Sequence, residues 1–338
     1  MAYQEISSSP RFYVNVVEWL MKTGVLDLEP HLPPAESVQT YMTLPVTPAQ
    51  EYTSGTVASA LNVFGMTKKS FIAILGHNLA STGYYHLIYA KNGQSSIFQY
   101  NQVVNAPPSP LRIQPNYDGF SIATFEVDDG EISGFTFNGG ANVGSVVIGT
   151  YYDMPHSPEL NLTMTREMDG VKRVRTKGGV DLVDHKYTKP PLWGNLAPWE
   201  IGGTENQALS RVGRRSWDLS FNYLDDGDVF GPNPMLSMDS GAGYYDTGTG
   251  QPDVDIYESG DYTGDSAWSA HSYNLLTDDN FFSQVLHRVQ NRPFIFQPDS
   301  SSTAVDNFAI CKFDMKSFSF QQQSSGLYSC KLKIREVW

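Results

Sequence analysis

The chain reads as an all-β protein, mainly antiparallel, with a jelly-roll β-sandwich followed by a second β-rich domain that carries one packed helix. Three observations predict this. Aromatic residues make up 13% of the 338 residues against 17% charged, and 29 glycines and 20 prolines punctuate the chain. That balance favours strands and turns over helices. Short apolar runs recur between turn-forming residues from Thr53 to Tyr152, as in a sandwich. The best helix in the chain is the segment 278–292, which combines helical periodicity with signals at both ends. Two domains are expected at this length, since single cores usually stop growing near ~250–300 residues.

Residues 1–52 form an N-terminal segment and arm. Phe12, Val14 and Val16 alternate as in a strand, whereas Val16, Trp19 and Leu20 have helical spacing before Gly24. A short strand leading into a short helix satisfies both patterns. Residues 29–52 hold five prolines and little periodicity, which suits an extended arm lying on a neighbour's surface.

Residues 53–160 are the expected jelly roll. Phe71–Leu75 is apolar on both faces, as in a buried strand. Tyr85, Leu87 and Tyr89 then alternate with His86 and Ile88, so that Phe71–Lys91 reads as a central hairpin with a His77-Asn78 corner. Lys91-Asn92-Gly93 supplies a further hairpin turn. More strands are expected over 121–127, over 132–137 after Asp128-Asp129-Gly130, and over 145–151.

Residues 161–213 form a connector. Leu160, Leu162 and Met164 alternate, Thr176-Lys177-Gly178-Gly179 turns the chain, and Trp193 and Trp199 among prolines suit a crossing between domains. Residues 214–338 form the second domain. Trp217, Leu219, Phe221 and Tyr223 share one face of a strand, with Asp218, Ser220 and Asn222 on the other. Residues 225–273 follow as a Gly-, Asp- and Tyr-rich excursion, too long for an idle loop in a compact domain.

The helix over 278–292 has Thr277 or Asp278 as its cap, Arg288 and Arg292 near its end and Pro293 as its stop. Phe281, Phe282, Val285, Leu286 and Val289 make its apolar stripe. Strands are expected over 293–297, 308–313, 317–321 and 327–338. In the last, Tyr328, Cys330, Leu332 and Ile334 face inward, placing it beside Trp217–Tyr223.

Charge and cysteine usage narrow the function classes. A formal net charge of −13 argues against nucleic acid, which needs a basic face. No basic stretch followed by an apolar run opens the chain, and no run of ~18 apolar residues occurs. Folding inside a cell without a membrane span is therefore expected. Cys311 and Cys330 are too few for a disulfide framework; buried free thiols are expected, with pairing across neighbouring strands as the alternative. Asn161-Leu162-Thr163 fits a glycosylation sequon by chance.

The charge is also unevenly spread. From Ser216 to His287 there are thirteen carboxylates and neither lysine nor arginine. From Arg166 to Lys189 the balance reverses, with seven basic residues against four acidic ones. These segments are able to pair within one molecule or between copies.

Candidate chemistry is sparse. Asp225, Asp226 and Asp228, with Asp253 and Asp255, offer oxygen ligands for a structural calcium, but the spacing lacks the closing glutamate of the helical calcium loop. A solvated acidic turn is the default, and no cofactor is expected. Asp128-Asp129 and Asp278-Asp279 are adjacent, whereas a glycosidase needs carboxylates facing each other across the substrate. GxSxG, HExxH and P-loop patterns do not occur, and no enzyme is expected. Tyr244, Tyr245, Tyr257 and Tyr262, interleaved with Asp and Gly, suit interface anchors or stacking on sugar rings.

The stretches FIAILGHNLAS and GSVVIGTYYDMPHSPEL resemble virion proteins of tailed bacteriophages that carry a jelly-roll module of the galactose-binding type. RRSWDLSFNYL, the helix before RPFIFQPD, and the closing YSCKLKIREVW are similar to the β-domain of minor or distal tail proteins of such phages. The resemblance covers Phe71–Leu160 and Arg214–Trp338 and brings no catalytic residues with it. It implies a tail or tail-tip building block that is made in the host bacterial cytoplasm, forms a ring with itself and docks other tail proteins. A ring needs two different complementary surfaces on each copy. The expected interface residues are Arg173, Arg175 and Lys177 on the basic side, with Tyr244, Tyr245, Asp253, Asp255, Tyr257 and Tyr262 on the acidic side. The alternative is a carbohydrate-binding adhesion module that grips host surface glycans.

Overall fold

The computed structural model describes residues 8–16, 18–19, 50–56, 69–75, 85–91, 94–97, 111–113, 120–125, 131–143, 145–160, 163–167, 171–185, 214–229, 279–304 and 307–337. The strands before residue 144 are β1 (Arg11–Val14), β2 (Gln50–Thr56), β3 (Ser70–Leu75), β4 (Tyr85–Lys91), β5 (Gln94–Ile97), β6 (Leu111–Ile113), β7 (Phe120–Phe125) and β8 (Glu131–Val143). They are followed by β9 (Ser145–Asp153), β10 (Thr163–Glu167), β11 (Val171–Arg175), β12 (Asp181–His185) and β13 (Arg214–Asp225). A short helix α1 (Asp226–Val229) comes next, then a helix α2 made of a π turn Phe282–Leu286 and an α turn His287–Val289. The chain closes with β14 (Phe294–Gln297), β15 (Ala309–Phe313), β16 (Phe320–Ser324) and β17 (Leu327–Glu336).

The protein is mainly antiparallel β. One ten-stranded sheet runs β10-β13-β17-β15-β14-β1-β9-β3-β7, with β16 also on β17. A five-stranded sheet runs β2-β8-β4-β5, with β6 also on β4, and β11 and β12 form a two-stranded sheet among the described residues. The large sheet takes strands from all four segments expected from the sequence, so its hydrogen bonding crosses the boundaries at 52, 160 and 213. Strand β1 makes the link, since Phe12 lies opposite Phe296 on one side and opposite Tyr152 on the other.

The strands expected to form one jelly roll divide between the two sheets. Phe71–Leu75 and Tyr85–Lys91 accordingly do not form the expected hairpin. Strand β3 is buried throughout and takes β7 and β9 as its antiparallel partners, while β4 pairs with β5, β6 and β8. An apolar pattern on both faces shows that a strand is central, but not which neighbours it takes.

Both faces of β1 are packed. Tyr13 joins Phe71, Leu75, Phe120, Val147, Ile295, Phe308 and Ile310 in one cluster. On the other face the Phe12 ring lies 5.5 Å from Phe281, 5.7 Å from Phe294 and 5.2 Å from Phe296. Aromatic pairs of this kind contribute about 0.5–1.5 kcal/mol each beyond their area. Beside β1, Gly149 of β9 allows a close backbone crossing, for a Cβ there would stand 1.8 Å from the Val14 carbonyl oxygen.

Helix α2 starts later than expected. Asn280 caps it, its Oδ1 accepting the Ser283 N–H at 2.9 Å, while Thr277 and Asp278 lie outside the described residues. Gln290 and Asn291 take left-handed conformations, with φ of 41° and 68°, and stop the helix before Pro293. Arg292 donates to the Val289 carbonyl at 3.3 Å, the expected favourable placing of a cation at a helix end. Arg288 departs from that role. It falls on the stripe of Phe281 and Val285, is buried, donates to Thr150 Oγ1 at 2.9 Å and lies 5.8 Å from the Trp19 ring. Burial pushes its pKa down to about 10, partly offset by the charge of Asp279.

The β13–β17 pairing matches the expected neighbour relation, with one correction. Trp217, Leu219 and Phe221 are buried, but Tyr223 is 73% exposed. The register slips between Phe221, opposite Cys330, and Leu224, opposite Tyr328. This bulge, with Tyr223 at φ 62°, turns Leu224 into the core in its place. In β17 the expected alternation continues one step further, to a buried Glu336. Strand β16 also begins later than expected, at Phe320. Cys311 and Cys330 are buried free thiols. Cys311 faces Glu336 across β15–β17, whereas Cys330 faces Phe221 across β13–β17, so they are not cross-strand partners.

Candidate functional site

The basic residues predicted from the sequence come together on the β11–β12 hairpin. Its register sets Arg173 opposite Val183, Val174 opposite Leu182 and Arg175 opposite Asp181. Thr176-Lys177-Gly178-Gly179 makes the tip. The Thr176 N–H donates to the Val180 carbonyl at 2.8 Å and the Gly179 N–H to the Thr176 carbonyl at 2.9 Å. Gly179 has φ 84°, which a side chain would strain. The Val180 N–H also donates to Thr176 Oγ1 at 3.0 Å, closing the tip with a side chain of the hairpin itself.

Arg173, Arg175 and Lys177 are all exposed. Arg175 Nε stands 4.0 Å from Asp181 Oδ1, with side chains 77% and 49% exposed; such a pair contributes little. The hairpin thus keeps its positive charge available to an outside partner. The sequence reading missed that apolar residues are displayed beside it: Val174 is 49%, Val180 61% and Leu182 58% exposed. The alternation of Val180 and Leu182 in VDLV was the available signal, hidden because alternation normally marks a face turned toward the chain's own core.

Tyr244, Tyr245, Asp253, Asp255, Tyr257 and Tyr262 lie outside the described residues, as do His77, Asn78, Trp193 and Trp199. Asp225 ends β13, and Asp226 and Asp228 lie in α1. The Asp225 N–H donates to Asp228 Oδ2 at 3.2 Å, a local turn contact, and the Asp228 carbonyl accepts the Tyr152 hydroxyl at 3.2 Å. Burial raises the Tyr152 pKa, and the charges of Asp228, Asp279 and Asp153 add to it. Among the described residues no group of three His, Cys, Asp or Glu side chains is placed to hold a metal ion. Nor is any helix among them long and apolar enough to cross a membrane.

A second exposed apolar spot lies at the end of the ten-stranded sheet. Leu160 and Tyr223 are exposed, and the segments that carry them are joined by the Glu159 N–H donating to the Ser220 carbonyl at 2.8 Å and by Asn222 donating to the Glu159 carboxylate. Met164 on β10, the edge strand beside it, is partly exposed as well.

Comparison of the chain with protein-family models, with curated proteins and with solved structures finds no match.

Proposed function

We propose that the chain is a structural virion protein of a tailed bacteriophage, a minor or distal tail building block that forms a ring with itself and docks other tail proteins. The observation that carries this reading is the β11–β12 hairpin, which holds Arg173, Arg175 and Lys177 in solvent on a chain of formal net charge −13. Opposite charge on separate surfaces of one chain suits heterologous contacts, in which each copy presents one surface to the neighbour before it and another to the neighbour after it. The resemblance of FIAILGHNLAS, RRSWDLSFNYL and YSCKLKIREVW to phage tail proteins supplies the biological setting.

Electron micrographs of the purified protein test the reading. Closed rings of one fixed symmetry are expected. A chain that stays monomeric at every salt and protein concentration overturns it.

A further inference from the structure

We infer that the β11–β12 hairpin is an intersubunit arm whose apolar face seats on a second copy of this chain, with its basic side chains directing the approach. The inference rests on the reading of the chain as a self-assembling building block and names the element that makes the contact.

The hairpin has two distinct faces. Directly opposed residues of an antiparallel pair share a face, and successive residues alternate between faces. Val174 and Leu182 are opposed, and Val180 lies two residues before Leu182, so these three aliphatic side chains form one strip. Arg173 with Val183 and Arg175 with Asp181 occupy the reverse side, where Val183, 40% exposed, is the one aliphatic side chain among them. A strip of this kind usually rests on the molecule's own core. Here it is in solvent, and among the described residues the hairpin pairs with neither larger sheet. Two strands alone are marginally stable in water, so the fold gains most when the strip is covered.

Charge identifies what covers it. Residues 171–185 hold four basic residues and two acidic ones, in a chain whose formal net charge is −13. The remainder of any second copy is therefore strongly acidic, and among the described residues Asp218, Asp225 and Asp279 are exposed. A second copy attracts the basic hairpin as a whole, so Arg173 and Arg175 steer the approach from the reverse side while the apolar strip makes the contact, and it offers a surface unlike the hairpin itself, which is the head-to-tail arrangement a ring needs. The hydrogen-bonded Thr176–Val180 tip holds the arm's shape before contact, lowering the ordering cost of docking.

The test replaces Val174→Lys together with Leu182→Glu. The two new side chains attract each other across the strands, preserving the hairpin, while the apolar strip is lost. The concentration at which copies separate should rise by more than about thirtyfold, the effect of removing a central contact. Arg173→Glu with Arg175→Glu should slow association and reverse its dependence on salt. Hydrogen exchange of the unaltered chain needs no variant: amides of residues 171–185 should exchange slowly in the assembly and fast after dilution.

If the Val174→Lys, Leu182→Glu chain assembles like the original and those amides are equally fast in both states, the hairpin is not the arm, although self-assembly stands. If the original chain never associates, both readings fall. Retention of the monomeric original chain on anionic lipid vesicles or on duplex DNA overturns the choice of a second copy as the partner.

Discussion

Arg215 and Glu336 meet across the β13–β17 pairing as a buried ion pair, with Nη2 and Oε1 3.1 Å apart and each side chain 3% exposed. The Arg215 backbone N–H also donates to Glu336 Oε2 at 2.8 Å, and Nη2 donates to the Phe308 carbonyl at 2.9 Å. The guanidinium lies 5.2 Å from the Trp217 ring. The pair ties Glu336, the last residue of β17, to the start of β13 and to the segment before β15. Glu336→Gln removes the carboxylate that faces the buried arginine charge and should cost about 3 kcal/mol in urea unfolding. Arg215→Met with Glu336→Leu should recover at least half of that loss, because no charge is then stranded. A double variant as unstable as the single one would show that the hydrogen bonds to Phe308 and the backbone matter more than the charge pair.

The crossing at Gly149 predicts a sharper failure. A methyl group at this position meets Val14 backbone rather than a flexible side chain, so neither neighbour yields without shifting the central strand. Gly149→Ala should lower stability by more than ~3 kcal/mol, at or beyond the upper end of overpacking effects. Soluble yield and the urea midpoint measure it. Gly178→Ala, at a tip glycine with open space around its Cβ position and no positive φ, should leave both unchanged.

His287 gives the fold a dependence on acid. Its ring packs 5.6 Å from Trp19 and stacks on Phe282. Burial, followed by the charges of Arg288 and Arg292, lowers its pKa below the usual histidine value of 6.5. The unfolded chain therefore takes up the proton first as pH falls. The stabilisation is complete above pH 6.5 and is lost as pH drops through the folded value. Urea midpoints measured from pH 8 downward should fall below that point, and His287→Phe, which keeps the ring contacts, should flatten the slope. An unchanged slope in the variant would assign the effect to other groups.

Tyr223 combines a left-handed backbone with an exposed side chain. A left-handed conformation costs a residue with a Cβ roughly 1–2 kcal/mol, and the Tyr223 side chain is exposed. Tyr223→Gly should therefore stabilise the isolated chain, by up to about 1 kcal/mol after the added flexibility of the unfolded state is subtracted. Thermal unfolding checks the sign. A loss of stability would show that the tyrosine ring makes contacts that outweigh its backbone strain.

Local patterns in the sequence carry the β class, the burial of Phe71–Leu75, the apolar stripe of α2 and the neighbour relation of β13 and β17. Each depends on period and burial, which residues record one segment at a time. Partner choice is different. The pattern of Phe12 and Val14 marks a strand but does not reveal that it lies between β14 and β9, joining segments that look separate. The slip at Tyr223 is hidden for a related reason, since one extra residue leaves the alternation before it intact. Arg215 and Glu336 are 121 positions apart, and neither looks unusual alone. At the hairpin the basic residues were legible from composition. The display of Val174, Val180 and Leu182 in solvent was not, because exposure of an apolar strip is a property of what fails to pack against it.

The two thiols give a direct probe of how the sheet opens. Burial pushes the Cys330 pKa up to about 12. Cys311 is shifted well above its usual value, first by burial and then by the negative charge of Glu336, with Arg215 acting against both. Reaction with a disulfide reagent needs the thiolate and access to it, and the native fold supplies neither. At pH 8 both cysteines should be unreactive in the native protein and both should react once it is unfolded in urea. At intermediate urea the rate should follow the population of opened molecules. Glu336→Gln removes the charge that faces Cys311, but also weakens the pairing that covers it. If opening governs the reaction, this variant should label Cys311 faster in proportion to its lost stability. If the thiol pKa governs it, labelling of Cys311 should rise by more than the lost stability accounts for while that of Cys330 does not, and peptide mapping of the modified cysteine separates the two.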